Sequence, residues 1–344
     1  STLFPYTTLF RSSYLGIVVE TEVPWVNKST SGETLTYWEN LTLQCEDMVN
    51  QHYNHPCIIF WGVGNEINAS YTNSNFGLEY VKSKIEGYRE TIRRLLPNAW
   101  VGFVVSPSTD QPLQLFKHPT VDWVGTNIYV GWYVNKNSNN PSSYLNSRIN
   151  YATQDGVPIA FSEYGCGGTQ RCHSEDYLTT ENKASGGARH NIEYQMWLHE
   201  GHIAAIRNYP NLLSTSMWVL FDFAVAARNE GYTICLDGEN TSTDNNLRHL
   251  NDKGLVERDH VTKKDTFYLY KAEWNSIDKF VHICGKNYTK KTDRVIKCYT
   301  NDGNSLSLYV NDPTMSGEPL KTTTVTNHIA TFEATNFNSG DIVT

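Results

Sequence analysis

An α/β barrel followed by a small antiparallel β module is the fold this 344-residue sequence predicts, and three observations carry the prediction. Apolar runs of strand length alternate with amphipathic runs of helix length, as repeated β-α units do. The apolar runs are hydrophobic on both faces, the mark of a parallel sheet covered by helices. Most of them deliver polar, chemistry-bearing side chains at the C-terminal end, the catalytic face of a (β/α)8 barrel.

The first predicted strand is YLGIVVE (14–20), leading to Glu20 and Glu22, and WENLTLQCEDMVNQHYN (38–54) is the helix after it. CIIFWGVG (57–64) is the second strand and ends on Asn65 and Glu66. FGLEYVKSKIEGYRETIRRLL (76–96) is an amphipathic helix stopped by Pro97, whose ring cannot continue a helix. WVGFVV (100–105), VDWVGTNIYV (121–130), VPIAFSEY (157–164) and STSMWVLFDF (214–223) complete six strands, delivering Asn127, Tyr129, Glu163 and Asp222. A helix is expected over 188–208, before the last strand. No GxGxxG or P-loop pattern is present. From about Val281 the sequence turns to short runs with turn residues between them, and Leu306, Leu308 and Val310 share one face. That texture predicts a small sandwich of antiparallel strands.

A net charge of −8 argues against a nucleic-acid partner, which requires a basic face. No apolar run is long enough to span a membrane, and the cellular compartment stays open between cytoplasm and periplasm. The seven cysteines contain no CxxC, and reduced, buried thiols are expected rather than a disulfide framework. His52/His55 and His199/His202 stand three apart without a carboxylate trio, so capping or surface roles are expected rather than a metal site. The polar loop over 171–190 is expected to line a site or to be mobile. Thr2–Ser12, TLFPYTTLFRS, is what a common sequencing-adapter DNA encodes in frame. Residues 1–13 are therefore expected to be an artefactual leader, with the natural chain beginning upstream of Tyr14 and barrel strands one and two absent.

Glu66 and Glu163 each follow an apolar strand, 97 positions apart. Either one alone fits a salt-bridge partner. Two such acids at strand ends fit glycosidic bond cleavage, in which one protonates the leaving oxygen and the other attacks or stabilises the anomeric centre.

NHPCIIFWGVGNEI resembles the fourth barrel strand of glycoside hydrolase family 2, and PIAFSEYG resembles the seventh. TNIYVGWY, WVLFDFAVAARNEG and LGIVVETEVPW match further barrel segments in the same order. The resemblance implies a (β/α)8 TIM barrel over 14–277, with strands three to eight present. An incomplete immunoglobulin-like β-sandwich is implied over 278–344. It also implies a retaining exo-β-glycosidase, with Glu66 as acid/base, Glu163 as nucleophile and Tyr129 hydrogen-bonding the nucleophile. Asn65, Trp218 and Asp222 are implied at the sugar site. SEYGCGG with His173, IEYQMWLHE and the run from Arg228 to Trp274 point to the β-galactosidase branch. Asn251 and Lys253 also fit the N-x-K motif with which β-glucuronidases grip a sugar carboxylate, and that substrate is the alternative. The partner expected is an oligosaccharide or β-glycoside, with homo-oligomer formation open. No cofactor is expected; some family members bind Mg2+ near the acid/base, but its ligands come partly from strands one and two and cannot be assigned. A non-catalytic sugar-binding remnant and an endo-acting barrel of another family are the competing readings.

Overall fold

The computed structural model describes residues 4–26, 35–67, 78–106, 121–134, 140–152, 157–174, 177–178, 190–226, 249–286, 294–334 and 340–344. These pack as two compact units. The first comprises Ser1–Tyr129, Ser143–Tyr164 and Ile206–Met217; the second comprises Val130–Ser142, Gly165–Ala205 and Trp218–Thr344.

The first unit is built on a six-stranded parallel sheet whose strands follow one another in chain order. They are β1 (Val19–Glu22), β2 (Ile58–Gly62), β3 (Trp100–Val105), β4 (Trp123–Ile128), β5 (Ile159–Tyr164) and β6 (Ser214–Thr215). Helices α2 (Leu35–His52) and α3 (Leu78–Leu95) cover one face, close to the predicted spans. Their apolar stripes, including Leu41, Val49, Ile85 and Ile92, pack with Val101, Phe103 and Val124 of the sheet into one core. Val104, Trp123 and Ala160 form a smaller cluster with Phe60 and Leu213. Trp123 reaches that position because Gly102 lies beneath it: a Cβ there would stand 2.4 Å from the Trp123 carbonyl oxygen.

The N-terminal segment differs from expectation. Helix α1 runs over Phe4–Leu15, so Tyr14 and Leu15 are helical and β1 begins only at Val19. Gly16 ends the helix at a φ of 69°, while Gly16 N–H and Ile17 N–H donate to the carbonyls of Ser13 and Ser12. This double bond with a left-handed glycine is a Schellman cap. Leu9 packs on the sheet's main core. Helix α4 (Pro141–Ala152) precedes β5 and was not foreseen; its Ser143–Ala152 portion belongs to the first unit.

In the second unit, helix α5 (Ile192–Ile206) is buried on most sides. His199 and His202 lie fully inside, not at the surface as expected. His199 Nδ1 is 2.8 Å from the Tyr270 hydroxyl, and His202 Nε2 is 3.0 Å from the Val130 carbonyl oxygen. The predicted long strand over 214–223 is also corrected. Beyond β6, Val219 and Asp222 N–H groups donate to Lys253 and Val256 carbonyls, and Val256 N–H donates to Leu220. Backbone groups that would have continued the strand are thus taken by a different segment, and only a short ribbon of β7 (Phe223–Ala224) and β8 (Leu250–Asn251) follows.

Helix α6 (Asp265–Trp274) leads to two antiparallel sheets. One contains β9 (Val281–Ile283), β10 (Arg294–Thr300) and β13 (Ile329–Ala334); the other pairs β11 (Ser305–Leu308) with β12 (Lys321–Thr324). Cys298, Leu308, Ala330 and Phe332 form their core, with Leu306 packed against it. The described residues do not by themselves make a full immunoglobulin-like sandwich. Cys45, Cys57, Cys166, Cys284 and Cys298 are free and buried, whereas Cys172 is disulfide-bonded, contrary to the expectation of reduced thiols throughout. Most of the 171–190 loop lies outside the described residues, as does Arg228–Gly231 of the RNEG motif.

Candidate active site

The first unit brings both acids to one end of the parallel sheet. Glu66 follows β2 and Glu163 sits within the last residues of β5. Tyr129, immediately after β4, donates its hydroxyl to Glu163 Oε2 at 2.5 Å. Asn127, near the end of β4, donates Nδ2 to Glu66 Oε1 at 3.1 Å and to Asn65 Oδ1 at 2.9 Å. Its own Oδ1 accepts from the Ser162 hydroxyl at 2.8 Å, which fixes the orientation of the amide. The Asn127 backbone is the cross-strand partner of Glu163, at an irregularity in the β4–β5 register. One strand end thus contacts both acids, each through a different side chain.

Glu66 adopts φ of +52°. This left-handed conformation is uncommon for a residue with a Cβ and costs of order 1–3 kcal/mol, so the surrounding structure must hold it. Asn65 supplies part of that hold, its N–H donating to the Trp25 carbonyl at 2.9 Å.

Glu20 and Glu22 belong to the same unit and project from β1 over Gly62 of β2, where an added Cβ would meet Glu22 Cγ at 3.0 Å. Burial, then the charges of Glu20 and Glu163, push the Glu22 carboxyl up to about 8. Burial of its carboxyl raises Glu20 to about 7, although the residue as a whole is exposed; solvent screening makes Glu22 the more firmly shifted of the two. The strand-end pattern marked both residues but gave them no role. Asn127 was likewise marked only by its position, as an amide inside a wholly buried apolar strand.

The second unit holds Trp218, Asp222, His173, Asn251 and Lys253, the remaining sequence-predicted residues. Lys253 is buried, its ammonium 5.6 Å from the Trp132 ring centre and 5.1 Å from that of Tyr133. Aromatic faces attract a desolvated cation electrostatically. Asn251 Oδ1 accepts from Lys253 N–H at 3.2 Å, so the two residues of the N-x-K motif are coupled through a tight turn. Between them Asp252 is turned away to His190, 2.5 Å from its Nδ1. Burial would raise the Asp252 carboxyl, but the adjacent His190 and the two lysines hold it below its ordinary range.

Asp222 is committed internally. Its Oδ1 accepts from Gly254 N–H at 2.7 Å and from the Lys264 ammonium at 2.8 Å, and Lys264 also donates to the carbonyls of Gly168 and Asp252. Burial lifts Asp222 to about 6 although the ammonium pulls the other way. No motif announces this Lys264 knot. His173 is also engaged: Nδ1 lies 2.7 Å from Glu193 and Nε2 lies 3.0 Å from the Gln170 carbonyl. Trp218 is half-buried, edge-on to Phe223 with ring centres 6.1 Å apart.

Among known proteins, the chain is 28% identical over 276 residues to a β-glucuronidase of Bacteroides fragilis, a match covering 79% of this chain and 35% of that one. The chain spans about a third of the length of the curated relatives it matches. Its fold is similar to that of the FMN-binding β-glucuronidase of Facaelibacterium prausnitzii L2-6, with a TM-score of 0.77, 25% identity, and coverage of 97% of this chain and 46% of that chain. It is also similar to that of Bacteroides uniformis β-glucuronidase 2, with a TM-score of 0.75, 24% identity, and coverage of 97% and 38%. The described strands form a curled, six-stranded portion of a barrel. The TIM barrel domain of the glycosyl hydrolases family 2 matches residues 16–279, and the chain belongs to that family.

Proposed function

We propose that the chain carries the catalytic residues of a retaining exo-β-glycosidase acting on β-glucuronides, with Glu163 as nucleophile and Glu66 as acid/base. The observation that carries the catalytic part is the pairing of Tyr129 with Glu163 and of Asn127 with Glu66 at one sheet end. In this mechanism Glu66 protonates the glycosidic oxygen while the Glu163 carboxylate attacks the anomeric carbon, forming a glycosyl-enzyme. Water, deprotonated by Glu66, then releases the sugar with its configuration retained. The Tyr129 hydrogen bond engages one oxygen of Glu163 and orients its carboxylate. A proton held on Glu22 limits the negative charge around Glu163. Asn65 is assigned to a sugar hydroxyl and Trp218 to the sugar site. Asp222 and His173 are assigned to sugar binding by the resemblance, although each is engaged within the second unit, by Lys264 and Glu193.

The glucuronide is placed first because the buried Asn251–Lys253 pair supplies a cation and an amide suited to a carboxylate, and because the relatives are named β-glucuronidase. The galactoside reading rests on the SEYGCGG and IEYQMWLHE motifs and stands second. Among the described residues no set is assigned to a flavin, although one solved relative is named for it.

The substrate class is tested by comparing nitrophenyl β-glucuronide with nitrophenyl β-galactoside, in the wild type and in Lys253→Ala. Losing a charge-assisted contact of roughly 1.5–3 kcal/mol should weaken kcat/KM for the glucuronide by about 10- to 150-fold and leave the galactoside nearly unchanged. Preferred turnover of the galactoside by the wild type would reverse the order of the two readings.

A further inference from the structure

Asp265, His282 and Cys284 come together at the junction between α6 and β9, all three buried. His282 lies in β9, and Cys284 is the first residue after the strand. Asp265 is the first residue of α6 and meets them from the helix. One ligand-type atom from each residue lies within 4.8 Å of the others, with His282 Nε2 2.7 Å from Asp265 Oδ1.

We propose that these three side chains form a zinc site in the second unit, separate from the glycosidase residues. A thiolate, an imidazole and a carboxylate are the donor set of a borderline-soft, tetrahedral Zn2+, whose bonds run at roughly 2.0–2.3 Å. The edges of such a tetrahedron are about 3.4–3.7 Å, so the three donors need only small movements to receive the ion. The supporting contacts are those that orient ligands elsewhere. Gly285 N–H donates to Asp265 Oδ2 at 2.9 Å, leaving Oδ1 toward the site. The Tyr268 ring lies 3.6 Å from the His282 ring and within 6° of parallel, fixing its plane. The neighbouring Lys297 ammonium is neutralised by Glu200 at 2.7 and 2.9 Å, so it does not oppose a second cation.

Binding replaces the His282–Asp265 hydrogen bond. The zinc takes Cys284 as thiolate, releasing the S–H proton to solvent, and takes His282 through Nε2 with the ring proton on Nδ1. Asp265 Oδ1 is the third ligand and water the fourth. The ion's two positive charges are balanced by the thiolate and the carboxylate, and the metal staples the start of α6 to β9.

The test uses the purified chain, stripped with a chelator and titrated with Zn2+ and separately with Co2+, with bound metal counted by mass spectrometry of the digested protein. The expected result is one equivalent per chain, a higher melting temperature with zinc, and a cobalt–thiolate charge-transfer absorption. Cys284→Ser should abolish that absorption and weaken zinc binding by more than 100-fold, while circular dichroism shows the fold retained. Asp265→Asn keeps the acceptor for Gly285 and should weaken binding without removing the thiolate absorption. Absence of the absorption in the wild type, or its survival in Cys284→Ser, would overturn the proposal and leave His282–Asp265 as a hydrogen-bonded pair alone.

Discussion

The Tyr129 hydroxyl and the Asn127 amide reach the two acids from the end of β4, so a displacement of that strand end would disturb both at once. Their roles are nevertheless separable by chemistry. Glu66→Ala should lower turnover of substrates with poor leaving groups by about 10²–10⁴-fold, the usual worth of a positioned acid. It should spare dinitrophenyl glycosides, which leave with little protonation, and added azide should restore rate by attacking the glycosyl-enzyme. The check is a comparison of leaving groups with and without azide. Equal loss on every leaving group, without rescue, would remove Glu66 from the acid/base role. The acids were legible as residues because a buried strand has little reason to end on a carboxylate. The partners of Asn127, and the whole of Ser162's role and the Lys264 knot, were not, because an amide, a hydroxyl or a lysine declares its partner only when the chain has folded.

Among the elements, the strands and helices with strong periodicity were read to within a few residues: β3 has the predicted bounds, and α2, α3 and α5 lie close to theirs. The failures have physical causes. Tyr14–Leu15 looked like strand because its apolar side chains carry no period of their own, and the Schellman cap at Gly16 decided otherwise. The run over 214–223 looked continuous, but its backbone was claimed by residues 253–256, more than thirty positions away. The Asp265–His282–Cys284 cluster was equally invisible, since helix and strand contribute ligands 17 positions apart rather than in a C-x2-C spacing. The tight contact of β3 with β4 gives a test at this scale. Gly102→Ala would set a Cβ 2.4 Å from backbone of the next strand, which cannot yield as a flexible side chain would. Overpacking of this kind costs typically 1–3 kcal/mol or more, and denaturant unfolding should show a lower midpoint with an unchanged slope. An unchanged midpoint would mean that the strands separate more easily than their packing implies.

Across the whole molecule, the buried histidines contribute a destabilising limb to the response to acid. Burial holds His199 well below its ordinary value and His202 at about 4, so both are neutral in the folded chain at neutral pH. The unfolded chain binds protons to them near 6.5, so it takes up more protons than the fold in this window. The histidines' contribution to stability should therefore fall as pH drops from about 6.5 through about 4, by an amount on the order of a few kcal/mol. The raised carboxyls of Glu20, Glu22 and Asp222, which bind protons in the fold first, contribute in the opposite direction. His202→Gln, which can still donate to the Val130 carbonyl, should flatten that acid limb, as read from unfolding midpoints at a series of pH values. A limb of the same depth in the variant would assign it to other groups.

If Glu163 is the nucleophile of a retaining mechanism, it must carry the sugar covalently during turnover, and that adduct can be trapped. A 2-deoxy-2-fluoro-β-glucuronyl fluoride should inactivate the active protein by forming a glycosyl-enzyme that hydrolyses slowly, and peptide mass spectrometry then locates the sugar. One adduct is expected, carried by the Glu163 carboxylate and absent from Glu163→Gln. An adduct on Glu22 or Glu66, or turnover of glucuronides with inverted configuration, would contradict that role.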